Sequence, residues 1–206
     1  MRRVTSFGYA LALALVAAPL QAADFSDPTW PCVQRKVENL SIGLMWTHPL
    51  PDAPVSDPGT RREIDTLAAK LALRRLEVEA LRPEIEAFAV RHDGSPEILS
   101  RVFADVFDTL ATRRGKVVSG IEDFSLGQIE LSDRIEAAHT EMARLMDAEE
   151  PDYDRIDALE EQLDWDQLIY SDRQSTITYL CETPTLIEQR LYSLSQILRQ
   201  QIREAG

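Results

Sequence analysis

Residues 131–163 read LSDRIEAAHTEMARLMDAEEPDYDRIDALEEQL. Apolar side chains stand at Leu131, Ile135, Ala138, Met142 and Leu145. They stop at an acidic run, Asp147 to Asp154 around Pro151, and resume at Ile156, Leu159 and Leu163. Steps that alternate between three and four keep one narrow stripe on one side of a helix, the pattern of a coiled-coil seam. A strand would throw the same residues onto both of its faces. Proline lacks an N–H and restricts the residue before it, so the first helix ends at the acidic run. The stretch therefore predicts two helices folded back on each other. The antiparallel register sets Leu145 opposite Ile156, Met142 opposite Leu159 and Ala138 opposite Leu163.

The stripe continues in both directions. Toward the N-terminus it passes through Phe124, Ile121, Val117, Leu110, Val106, Phe103 and Leu99 to Ser95 and Pro96. Serine suits an N-cap and proline the first helical position. Toward the C-terminus it passes through Tyr170, Ile177, Leu180, Ile187, Leu191, Leu194 and Leu198. The predicted helices span about 96–147 and about 152–203, each roughly 70–80 Å long. Arg113, Val117 and Ile121 are four apart twice, between Gly115 and Gly120, which reads as a stutter in a continuous helix. Pro184 lies on the stripe and predicts a kink or division near Glu182–Thr183. Three seam positions are polar: Gln128, Asp166 and Arg173. The register faces Gln128 with Arg173, so these residues are expected to form a polar core layer that fixes alignment.

Upstream, Asp57–Pro58 opens a further helix, predicted to run to about Arg91. Its main stripe is Ile64, Leu67, Leu71, Val78, Leu81, Ile85 and Phe88, with Arg74 on the same face near Arg113 or Gly115. Ala69, Leu73, Leu76, Ala80 and Ala87 give it a second stripe, which calls for a second neighbour: the N-terminal segment or another copy in a homodimer. Pro83 is expected to bend it. The short turn His92–Ser95 makes this helix antiparallel to the next.

Residues 24–59 differ. They carry Trp30, Trp46 and six prolines, and Leu40, Ile42, Leu44 and Trp46 alternate with a weak period of two. This reads as an extended arm along the bundle, with a short helix at Val33–Asn39 compatible with the pattern. The two tryptophans are either anchors for the arm or a partner-binding epitope. Residues 1–23 have the form of a signal peptide: Arg2 and Arg3, an apolar run from Tyr9 to Ala18, then Ala22 and Ala23 at the expected cleavage site. The run is too short for a membrane span.

The net charge is −13, and removal of the leader takes two arginines and no acid, leaving −15. Such a surface disfavours nucleic acid and anionic lipid as partners. The two cysteines, Cys32 and Cys181, are expected to pair in an oxidising compartment. The bond would pin the arm to the last helix.

No catalytic, cofactor or metal motif is present in full. His48, His92 and His139 form no HExxH pair. Glu136–His139 spells the Glu-x-x-His of di-iron bundles once, where two copies are required. The acidic turn lacks the glycine and closing glutamate of an EF-hand. The expected fold is all-α: an elongated antiparallel three-helix coiled-coil-like bundle over residues 60–206 with an extended N-terminal arm. The expected function is a non-enzymatic, exported (periplasmic) adaptor or regulatory subunit that binds another envelope protein such as a transporter or channel. Two other classes fit the composition: a periplasmic coiled-coil holdase chaperone, and a small-ligand or metal-binding sensor.

Overall fold

The computed structural model describes residues 27–203. The expected signal peptide, residues 1–23, lies outside them. The described residues are all-α, with no strand: α1 (Pro58–Leu71), α2 (Val78–Arg91), α3 (Pro96–Met146) and α4 (Tyr153–Gln200). Three helices begin on side-chain caps. Asp57 accepts from the Thr60 amide at 2.7 Å, Ser95 from Ile98 at 3.4 Å and Asp152 from Arg155 at 3.0 Å. Each cap satisfies an orphan N–H of the first turn, and Pro58 and Pro96 fill positions that need no donor.

The helix expected over 58–91 is two helices, broken at residues 72–77. No glycine or proline lies in the break; tertiary contacts make it. Arg190 on α4 donates to the carbonyls of Leu71 and Leu76, and Arg113 on α3 donates to that of Ala72. Guanidinium groups thus take the Leu71 and Ala72 carbonyls at the end of α1, where cations are electrostatically favoured, and the Leu76 carbonyl within the break. Pro83 is accommodated inside α2. The main stripe faces the core on both sides of the break: Ile64, Leu67, Leu71, Leu81, Ile85 and Phe88 are all buried. The second stripe does not form a face. Ala69, Ala80 and Ala87 are exposed, and Leu73 and Leu76 are half-buried at the break.

The turn into α3 is tight. Asp93 and Gly94 both have positive φ, 53° and 65°, and the Gly94 amide bonds back to Ala89 at 2.8 Å. A Cβ on Gly94 would lie 2.8 Å from the Gln201 carbonyl, because the chain end returns there and Arg203 donates to the Gly94 carbonyl. Only glycine meets both demands.

Helix α3 runs unbroken through Gly115 and Gly120 for 51 residues. At the stutter the buried positions become Arg114, Val118 and Ile121 rather than Arg113 and Val117. Helix α4 is likewise one helix of 48 residues and is not divided at Pro184. Pro184 has no N–H for the Leu180 carbonyl. Around it, the Thr183 hydroxyl takes the Tyr179 carbonyl at 2.9 Å, and the Gln34 side chain donates to the Cys181 carbonyl.

Two unequal regions result. In the base, all four helices and Trp46 share one core that includes Leu71, Ile85, Phe88, Phe103, Leu110, Leu191 and Leu194. At the far end, Ala138, Leu159 and Leu163 cluster with Ile135, Met142 and Leu145, all from α3 and α4. Six of the eight stripe residues of 131–163 are in this cluster; Leu131 and Ile156 are buried outside it.

Candidate interaction surface

Residues 27–57 contain no α-helix; the segment 33–39 is non-helical, and a 3-10 turn occupies Ile42–Leu44 where a period of two was read. The segment descends along α3 through a series of polar contacts. The Pro28 carbonyl accepts from Ser125, Lys36 pairs with Glu122, and Arg114 donates to the carbonyls of Val37 and Glu38. Arg101 then donates to the carbonyls of Pro51 and Ala53. Arg114 also binds Glu188 at 2.6 Å, which joins the segment, α3 and α4 at one buried guanidinium. Glu122 beside Lys36 holds the lysine ammonium above its usual range.

Cys32 and Cys181 are bridged, with Cα atoms 5.4 Å apart. The bridge sits in a small apolar cluster with Trp30, Val118 and Ile121. Both arm tryptophans are spent inside the molecule. Trp30 donates its Nε1–H to the Gln34 carbonyl at 2.7 Å. Trp46 stacks on Phe103 with centroids 4.7 Å apart and donates to Ser100 Oγ at 3.0 Å. At 9% and 3% exposure these rings offer almost nothing to a partner, so they act as anchors.

The expected polar layer of Gln128, Asp166 and Arg173 does not form as one layer. Asp166 is buried and makes a bidentate pair with Arg134, at 2.7 and 2.6 Å. Arg134 stands one position off the seam, so its stem reaches across while its head stays half in solvent. That guanidinium holds the Asp166 carboxyl below the usual aspartate range. Gln128 gives its amide to the Tyr170 carbonyl at 3.3 Å, and Arg173 is exposed beside Gly127. Gln128 and Arg173 do not pair: the Gln128 amide goes to the Tyr170 carbonyl and the Arg173 guanidinium lies beside Gly127. A cavity of about 200 Å³ lies here, lined by Pro31, Phe124, Ser125, Gln128, Tyr170 and Ile177 among others. The Gln128 Oε1 at its edge is buried and has no hydrogen-bond partner among the described residues.

A different surface lies beyond the bridge. Residues 122–179 hold 17 of the 35 acidic side chains and 4 of the 22 basic ones. Their net charge is −13, so the remainder of the chain is neutral. The distal hairpin carries the whole imbalance. On its α4 side, Trp165 is 61% exposed, Leu168 54% and Ile169 37%. The i, i+3, i+4 spacing puts the three on one helix face, away from the seam formed by Leu159, Leu163 and Asp166. They fall off the coiled-coil stripe, and only their mutual spacing signals them in the sequence.

Among the described residues no three His, Cys, Asp or Glu side chains gather to hold a metal ion, and no helix is long and apolar enough to cross a membrane. His92 lies 3.2 Å from Glu63, and His139 3.2 Å from Gln167. No protein-family model, curated protein or solved structure matches this chain.

Proposed function

We propose that the protein is an exported, non-enzymatic helical adaptor that binds another protein of the bacterial envelope, in the periplasm, through its distal hairpin. In this reading the molecule is an elongated antiparallel bundle of long helices, and residues 27–57 form an extended arm that braces the base. The observation that carries it is Trp165, the one exposed tryptophan of three, on a two-helix region that the shared core does not reach. Large exposed aromatics beside leucine and isoleucine are typical anchors of protein interfaces. The disulfide agrees with an oxidising compartment. Photo-crosslinking in living cells tests the reading, with the reactive group at position 168 and a control at position 90, an exposed valine of the base. A specific envelope protein captured from 168 and not from 90 is expected. The same products from both positions, or none from 168, overturns it.

A small-ligand reading has one observation in its favour, the cavity beside the unpartnered Gln128 Oε1. A thermal-shift screen with uncharged polar metabolites tests it, and a flat response removes it.

A further inference from the structure

We infer that the occupant of the Trp165–Leu168–Ile169 face is a basic amphipathic helix of the partner protein, laid along α4. This rests on the adaptor reading and adds the chemistry of what is bound. Three features converge. The apolar stripe is helical in spacing, so its complement is another helix with apolar residues at the same intervals. The acids around it sit on the same face: Glu161 is one turn before Trp165, and Asp164 and Asp172 lie one turn either side of Leu168, all exposed. The third feature is where the hairpin's own cations go. Arg134 is taken by Asp166 and Arg144 by Glu141, two of the four basic side chains in residues 122–179. Arg155 and Arg173 are the other two, and none of the four forms an ion pair with Glu161, Asp164 or Asp172 among the described residues, so these acids face outward without a salt bridge from within.

The alternatives meet a charge barrier. A second copy would bring −13 against −13, and nucleic acid or an anionic bilayer would meet the same repulsion. A lysine- or arginine-rich helix supplies both missing parts. Its apolar stripe covers Trp165, Leu168 and Ile169, and its flanking cations reach Glu161, Asp164 and Asp172. The face from Glu161 to Asp172 is about 16 Å long, three turns, which a partner helix of about 12–18 residues spans. It would extend to the hairpin the multi-helix packing that the base already has.

Trp165 reports on its own site, because Trp30 and Trp46 are buried. Acrylamide quenching is followed on the oxidised, leader-free chain as an amphipathic Leu/Lys peptide of about 18 residues is added. Three competitors run beside it: a Leu/Glu peptide of the same pattern, a Lys/Ser peptide of the same charge, and phosphatidylglycerol vesicles. The Leu/Lys peptide is expected to shield Trp165 and the other three are not. Its affinity is expected to fall about tenfold between about 50 and 300 mM salt. Leu168→Gln is expected to weaken it about tenfold, while Leu186→Gln, at an exposed leucine of the base, leaves it unchanged. Shielding by Leu/Glu, by Lys/Ser or by vesicles overturns the inference, as does salt-independent binding or a Leu168→Gln variant that binds normally. Sedimentation showing a dimer in which Trp165 is already shielded overturns it in favour of a second copy. If the crosslink from position 168 captures a partner but the Leu/Lys peptide fails, the basic helix is wrong and the adaptor reading stands. If both fail, both fall.

Discussion

The base and the distal hairpin are built from the same two helices yet held by different means. In the base, α3 and α4 share a core with α1, α2 and Trp46, and Phe103, Leu110, Leu191 and Leu194 are fully buried. In the hairpin, beyond the segment's contacts near Glu122, Ser125 and Gln128, the two helices have only each other: one seam of Leu159, Leu163, Ala138 and their neighbours, joined by the Arg134–Asp166 ion pair. The base is electrically neutral and the hairpin carries −13. The hairpin therefore repels itself and has the thinner core. Its order depends on helical continuity with a base that is already folded, since helix propagation is far easier than nucleation. A charged, apolar-faced extension with a thinner core than its support is expected to open locally more readily than the base.

That contrast can be broken by mutation. Leu110→Ala in the base is expected to lower unfolding free energy by about 3–4 kcal/mol, and Leu163→Ala in the hairpin by about 2 kcal/mol, because only the former empties a core closed on all sides. Equal losses in urea titrations would mean that the two regions unfold as one block. Next in size is the bridge. Replacing Cys32 and Cys181 by serine should cost about 3 kcal/mol. It should red-shift Trp30 emission, as the ring packs beside the bridge, while Trp46 stays buried. Unchanged emission would show that the hydrogen bonds of Gln34 and Lys36 suffice to hold the segment. Smaller again is Ser100→Ala, which leaves Trp46 Nε1–H buried without an acceptor at about 1–2 kcal/mol. Differential denaturation of Trp46→Phe alone and with Ser100→Ala gives the coupling.

The smallest effect concerns pH. The Asp166 carboxyl titrates below its ordinary value of 3.8 in the folded chain because Arg134 binds it. A lowered folded pKa means that the pair adds stability above the unfolded value and loses it as pH falls through the folded one. Asp166→Asn should thus flatten the acid limb of hairpin stability while leaving neutral-pH stability of the base unchanged. Hydrogen exchange resolves the two regions; identical acid limbs in wild type and variant would remove the pair from the account.

How legible each region was follows from where its information lies. The seam of residues 131–163 is local and periodic, so the hairpin, its turn and its buried stripe are legible directly. Ser95–Pro96 and Asp57–Pro58 announce helix starts by local chemistry, and a chain with two cysteines offers each one obvious partner. The break between α1 and α2 has no such signature. It is imposed by Arg113 and Arg190, 41 and 114 or more residues away in sequence, taking its carbonyls. The helical period of α1 and α2 stays in phase across the break, so periodicity alone predicts one long helix. Asp166 was recognisable as a polar seam residue, but its partner Arg134 sits off the seam, where register alone cannot find it. The tryptophans invert the same lesson. Trp30 and Trp46 stand in a proline-rich segment that suits either an anchor or an epitope, and they are interior. Trp165 was hidden among acids in a long helix and is the one that faces out.

The bridge also fixes a topology. Cys32 and Cys181 are 149 positions apart, and the acidic turn at 147–152 lies between them. A protease that nicks that exposed turn leaves two fragments still joined through sulfur, each keeping one long rod. On a gel such a nicked molecule runs whole until a thiol is added, so the tip can be opened, tagged or spliced without letting the rods drift apart.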